Sequence, residues 1–523
     1  MASTEKKCLL TQLPKELLDA IVSHLTNREI KSLRAAGRSI ERLVALQITR
    51  VFLSANSRNI NVFRAVADHE TLRHGVTEIV WDDAQLQAIK YAAHDGDDVP
   101  EPLKNCPSWF REGHESSLWC FPSPKGAEEA AERVTQLLND WRYYKALLQD
   151  QQTILDTDAD VDALKYGLVR FPSLKRITLT PTAHRLIFAK PFYYTPMIRD
   201  FPEMFGYPLP NCWPNVLGVT SSEEVYPWHG NEHQRQYTCD YTIEDYRNIW
   251  RGFRRILRTL AENDHHITEF VVESFHHHTG INCNIFSEPS QECDDFAALL
   301  ASPGFRHLSL ALCTGLTEYD EWPCFRSGLL RKALAGAQEL EHMYLSCTLE
   351  IGENGRTGFL DIEEREGNES FFTPPLDSIF PVESWSKLQY FGINQLLVPR
   401  LELVDFLATL PASVRAVRLS HLAFEGGESS YRSLLQAMRA NLDWRSRAAS
   451  KRPNVQITVK KRGWMKGRRY LSVDAAADRF LYSDSEAADS LNPFNDPDFP
   501  NDPVEGLGVV ERDDLDPLIE IPF

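Results

Sequence analysis

The 523-residue chain lacks any apolar run near the ~20 residues that a membrane-spanning helix requires, so no membrane partner is expected. It also lacks a Cys-x-x-Cys pair. Its ten cysteines are scattered, the two nearest in sequence being Cys283 and Cys293. That usage excludes a disulfide scaffold and fits reduced, mostly buried thiols in a cytoplasmic or nuclear protein. The polar start, Met1 to Lys7, is not followed by the apolar segment of a secretory signal. Also missing are a Gly-x-Ser-x-Gly elbow, a phosphate-binding loop and a three-glycine dinucleotide fingerprint, since Gly506 and Gly508 have no third partner. The expectation is a protein that is not an enzyme and holds no cofactor.

What the chain does have is a net charge of −18, unevenly spread. From Asp484 to Phe523 there are twelve acids, six prolines and a single base, Arg512, a composition that predicts a mostly disordered end. Just before it, Arg445 to Arg469 carries ten Lys or Arg and no acid. The two blocks are expected to attract one another.

Between the ends one pattern returns, apolar-x-x-apolar-x-apolar. It runs Val76 to Trp81, Leu174 to Leu179, Ile267 to Val272, Phe305 to Leu310, Leu340 to Leu345, Leu388 to Ile393 and Val414 to Leu419. Each copy predicts a short strand with one face buried. Helical patterns precede several of them, at Ile60 to His69, Cys293 to Ala301 and Leu329 to Ala335. Strand and helix in alternation suggest a stacked repeat array. The spacing is irregular, from 26 residues (Leu388 to Val414) to 98 (Val76 to Leu174), so long insertions are expected.

Two insertions stand out. Segment 184–236 is rich in proline and aromatics, among them Phe201, Phe205, Tyr207, Trp213 and Trp228, and is expected to pack over the array, a binding surface being the sharper alternative. Segment 351–377, with Asn354-Gly355 and a run of acids, reads as a surface hairpin or loop. Glu128 to Gln152 predicts an amphipathic helix facing the core of the array through Val134, Leu137, Leu138, Trp141 and Leu148.

The N-terminal region is the most specific. Pro14 is placed as a first helical residue, and Leu17, Leu18, Ile21, Val22 and Leu25 follow at helical spacing. Asn27 is a candidate cap for a second helix with Ile30 and Leu33; Gly37 punctuates it, and Ser39 is a candidate cap for a third with Ile40, Leu43 and Val44. Three such helices cannot bury all these side chains among themselves, so part of the surface is expected to meet a partner.

The string Leu13-Pro14-Lys15-Glu16-Leu17-Leu18, with Ile30 to Arg34 and Arg38 after it, resembles a fungal-type F-box. It departs from many F-boxes in having no Trp between Ser39 and Ile48. Together with the repeats, the chain is similar to F-box proteins with degenerate leucine-rich repeats. The resemblance implies an α/β protein with a three-helix F-box, an irregular leucine-rich-repeat-like solenoid and a disordered acidic C-terminal tail. Its boundaries are a flexible 1–8, the F-box at 9–50, the recognition region at 51–470 and the tail at 471–523. It implies docking on the Skp adaptor, and through it on cullin, by Leu13, Pro14, Leu17, Leu18, Ile21, Leu25, Ile30 and Leu33. The repeat region would hold a protein substrate for an SCF-type ubiquitin ligase. The alternative is an F-box-like scaffold acting outside a ligase.

Three other constellations hold residues that could carry chemistry. His229-Gly230-Asn231-Glu232-His233 matches the H-x-x-E-H pattern of a zinc hydrolase, but Pro227 and the internal Gly-Asn oppose the helix that would aim both imidazoles at one ion. His265, His266, His276, His277 and His278, near Cys283 and Cys293, read as polar loops flanking a strand, so no metal site is assigned. The basic block Lys451 to Arg469, with Trp464 and Tyr470 interleaved, reads as a solvated, partly strand-forming end of the array (Val455, Ile457, Val459) that pairs with the acidic tail, an import segment and then a nucleic-acid surface being the alternatives.

Overall fold

The computed structural model describes residues 9–25, 27–44, 46–87, 103–118, 125–184, 191–210, 213–214, 228–229, 242–275, 279–314, 322–348, 376–424, 429–460, 470–484, 488–496, 500–504 and 506–511. It is a mixed α/β protein built on a large, mostly parallel sheet. Nine strands follow one another in chain order: β1 (Arg50–Leu53), β2 (Glu78–Asp82), β3 (Arg176–Thr180), β4 (Glu269–Val272), β5 (His307–Cys313), β6 (His342–Ser346), β7 (Tyr390–Asn394), β8 (Ala416–Ser420) and β9 (Asn454–Gln456). Every adjacent pair is parallel. A short tenth strand, Ile281–Asn282, pairs with the end of β5.

All seven copies of the sequence motif lie on this sheet. Their first residues, from Val76 to Val414, are buried just before each strand, and their fourth and sixth positions fill the core. In register these are Ile79, Ile177, Phe270, Leu308, Met343, Phe391 and Val417, then Trp81, Leu179, Val272, Leu310, Leu345, Ile393 and Leu419. The third and fifth positions therefore point to the opposite face.

One backbone step recurs at the start of each strand. The Thr49 carbonyl accepts from Thr77 and Glu78, that of Thr77 from Lys175 and Arg176, and that of Lys175 from Thr268 and Glu269. The same fork continues from Thr268, Arg306, Glu341 and Gln389. It becomes single at the last strand, where Arg415 accepts only from Asn454 at 2.8 Å, because Pro453 has no N–H to give.

Helices α1 (Lys15–Ser23), α2 (Asn27–Ala35) and α3 (Arg38–Leu43) form a unit with its own core of Leu18, Val22, Ile30, Ile40 and Val44. Pro14 is the N-cap of α1 and not its first residue; Asn27 opens α2, and Gly37, not Ser39, caps α3. Helix α4 (Ser57–Asp68) begins the packing layer on the sheet. Its N-cap Asn56 accepts from Arg58 and Asn59, an Asx cap that satisfies two first-turn amides.

The crossover from β2 to β3 holds a second, smaller core. Helix α5 (Ser108–Ser117) and the long α6 (Ala127–Thr157) enclose Phe110, Tyr144, Phe205 and Tyr207, with Trp109, Trp141 and Phe201 against them. The amphipathic helix expected from Glu128 to Gln152 thus exists, but most of its apolar face builds this satellite core and only Ile154, near its end, joins the sheet's core. Asp158, at φ 50°, ends α6 and starts α7 (Ala159–Arg170). Its left-handed backbone is held by Arg251, 2.7 Å from the carboxylate. Of the described part of segment 184–236, expected to pack over the array, Trp213 and Trp228 enter the main core, whereas Phe205 and Tyr207 enter the satellite core and Tyr194 and Met204 are exposed.

The tail expected to be disordered from residue 471 needs correction. A three-stranded antiparallel sheet joins β10 (Thr458–Lys460), β11 (Tyr470–Ser472) and β12 (Val509–Glu511). The helix Asp474–Tyr482 packs Ala477, Phe480 and Leu481 into the main core. Its acids have a use that composition hides: Asp478 accepts from the Val455 amide at 2.9 Å, and Asp474 from Ile457 at 2.9 Å. The edge of β9 is thereby closed. Segment 351–377 lies outside the described residues except for Leu376 and Asp377, which begin a short helix.

Candidate functional site

Two surfaces carry side chains that the fold itself does not use. The first is on the N-terminal unit. Leu17 is 54% exposed and Ile21 44%, one helical turn apart on α1, and Leu43 on α3 is 48% exposed. Pro14 is exposed at the start of α1 and Leu13 is half-buried. Leu25 and Leu33 are half-buried against the unit's core. Leu18 and Ile30, expected on a partner-facing surface, are corrected: at 5% and 0% exposure they hold the three helices together. Leu43 was missed because periodicity alone does not separate the inner from the outer side of a six-residue helix.

The second is the sheet face opposite the packed helices. Over β1 to β4 this face is covered. Tyr193 meets Phe52 edge-on at 6.1 Å, Phe192 stacks on Phe275 at 3.9 Å, and Arg50 lies over Tyr193. Beneath them Val80, Thr178 and Val271 are buried. A ladder of ions runs along the strand starts: Arg50 with Glu78 at 2.7 Å, then Arg176, Lys175 and Arg306 all around Glu269. Burial opposes ionisation of Glu269, but Arg176 and Lys175 outweigh it and hold its carboxyl below the usual range.

From β5 onward the face opens into a half-buried ring platform. His307 stacks on His342 at 3.9 Å, and His342 on Tyr390 at 4.1 Å, three rings on three successive strands. In the next row Tyr344 lies over Gly392, with the Arg418 guanidinium 5.6 Å from its ring. A Cβ on Gly392 would stand 2.6 Å from the Tyr344 ring, so only glycine lets that ring lie flat. Burial, aided by the neighbouring cations, lowers His307 to about 4 and, with His307 beside it, His342 to about 3. Both imidazoles are neutral at pH 7. These residues were within reach of the sequence, since they occupy the third and fifth positions of the motif.

A third group is interior. Asp82 ends β2 and Asp83 follows it, beside His184, which follows β3. Burial raises Asp82 to about 8 and Asp83 to about 7, and lowers His184 to about 4. Asp83 is held by Trp213 and by the Gly252 amide, each at 2.9 Å. His184 Nδ1 pairs with the Tyr207 hydroxyl at 2.9 Å. No motif linked these groups, because Asp82 and His184 meet only once two neighbouring strands are paired.

The other constellations separate. His229 pairs its Nε2 with the Asn284 carbonyl at 2.8 Å, and Glu232 and His233 lie outside the described residues. His265 accepts from the Ile267 amide and His266 is exposed, while 276–278 lie outside the described residues. Among the described residues no three metal-binding side chains converge, and no helix is long and apolar enough to cross a membrane. Of the basic block, 461–469 lies outside the described residues; Arg445 pairs with the tail's Asp484 at 3.2 Å. No protein-family model matches the chain, and no curated protein matches it either.

Proposed function

We propose that this chain is a substrate-recognition subunit of an SCF-type ubiquitin ligase. The N-terminal unit serves as an F-box that docks on the Skp adaptor, and the strand–helix array serves as a leucine-rich-repeat-like solenoid that holds a protein target. The chain then supplies recognition only, and transfer of ubiquitin belongs to cullin-bound partners. The observation that carries this reading is the division of apolar side chains on α1. Leu18 and Val22 close the unit's own core, while Leu17 and Ile21 remain exposed behind Pro14. A helix whose inner face is already satisfied has no folding use for a second apolar face, and such a face marks a partner surface. The motif Leu13-Pro14-Lys15-Glu16-Leu17-Leu18 names the partner by resemblance.

The test is capture of purified Skp adaptor by the full chain. Leu17→Ala and Ile21→Ala together should lower the affinity at least ~100-fold if each side chain contributes about 1.5 kcal/mol on burial. Wild-type chain that captures no adaptor would overturn the reading.

A further inference from the structure

The open half of the sheet face has a composition that selects among partners. Its rings are half-buried tyrosines and neutral imidazoles with one guanidinium set among them, and aromatic residues and arginine are the side chains that most often anchor protein interfaces. Its charge differs from that of the molecule. Around the platform Lys175, Arg176, Arg306 and Arg418 stand against Glu269, Glu273 and Asp474, a local excess of one positive charge on a chain of net charge −18. Arg176, Lys175 and Arg306 converge on Glu269 at the strand starts. Arg418 lies deeper on the face, over the Tyr344 ring and 3.2 Å from the Ser420 hydroxyl. Gly392 leaves the floor between Tyr344, Tyr390 and Arg418 without a side chain of its own.

The geometry points to an extended acidic segment of a partner protein as the occupant of this platform: a side-chain carboxylate meets Arg418, and flanking aliphatic atoms lie on Tyr344 and Tyr390. This rests on the reading of the array as a target-holding surface and adds the chemical class of the target. A guanidinium beside aromatic faces is well suited to a carboxylate, which it meets with two parallel N–H donors. A nucleic acid is the weaker fit, because one excess charge offsets little of a polyanion that the rest of the molecule repels.

Full-length chain is immobilised and offered three degenerate dodecapeptide libraries whose central pair is Asp-Glu, Gln-Gln or Lys-Lys. The Asp-Glu library should be retained on the order of tenfold above Gln-Gln, the scale of a hydrogen bond to a charged group. Arg418→Gln should remove that preference and Lys387→Gln, an exposed lysine before β7, should leave it. Equal retention of the libraries, a Lys-Lys preference, stronger retention of single-stranded polyuridylate, or an unchanged preference in Arg418→Gln overturns the proposal. Should circular dichroism show Arg418→Gln unfolded, Tyr344→Phe, which keeps the ring, must retain binding and Tyr344→Ala must lose it. Adaptor capture by the same preparations keeps the two readings apart. Capture without acidic selectivity refutes the target class alone, and selectivity without capture refutes the ligase reading alone.

Discussion

His184 Nε2 faces Asp82 Oδ2 at 3.7 Å in the interior, and neither atom has a hydrogen-bond partner among the described residues. The pair joins the two cores, since Asp82 ends a strand of the main sheet and His184 holds Tyr207 of the satellite core. At neutral pH the stable arrangement is a protonated carboxyl beside a neutral imidazole, because a lone buried charge at either group costs more than the proton does.

A pH dependence follows. Asp82 ionises near 3.8 in the unfolded chain and near 8 in the folded one, so its contribution is full below pH 3.8 and is lost as pH rises through 8. Asp83 loses its contribution over the window ending near 7. His184 has the opposite sign, gaining between about 4 and 6.5, and so contributes no slope above that range. Urea midpoints should therefore fall from pH 6.5 to 8, and fall less in Asp82→Asn. Equal slopes in the two proteins would contradict the assignment.

Gly392→Ala should destabilise the fold by about 1–3 kcal/mol, the usual cost of overpacking, by pushing a Cβ into the Tyr344 ring. The cost should shrink in Gly392→Ala/Tyr344→Ala, where the ring is gone. A double-mutant cycle in urea measures the coupling.

Asp474→Ala/Asp478→Ala should uncover the Ile457 and Val455 amides at the sheet's last edge. Each lost acceptor costs about 1–3 kcal/mol. The opened edge should also raise light scattering on storage, as unpaired strand edges do. A variant that scatters no more light than the wild type and is equally stable would show that the aspartates are dispensable.

The sheet was legible because its signal is local. Seven strands could be read from six-residue windows, and the same windows contain the platform residues His307, His342, Tyr344, Tyr390 and Arg418. β1 carries the same pattern, as Ile48 to Leu53 with Ile48 in register with Val76, but that window runs on directly from the helical N-terminal unit, which hides it. The helix Asp474–Tyr482 was hidden by averaging, since a tail rich in acids and prolines masked the periodic Ala477, Phe480 and Leu481. The satellite core depends on Trp141 and Tyr144 meeting Phe205 and Tyr207 some sixty residues on, which no window spans. On α1 the periodicity identified an apolar helix, but only packing against Ile30, Ile40 and Val44 separates Leu18 from Leu17.

The most direct measurement of the central claim is the affinity of purified full-length chain for purified Skp adaptor, by calorimetry, in four proteins. Wild type should bind. Leu17→Ala/Ile21→Ala should lose binding while keeping the wild-type urea midpoint, because both side chains are exposed. Leu18→Ala should lower stability by about 2–5 kcal/mol through the cavity it leaves in the three-helix core. Val169→Ala, at an exposed site on α7, should change neither. Absence of binding by the wild type, or undiminished binding by Leu17→Ala/Ile21→Ala, would contradict the account.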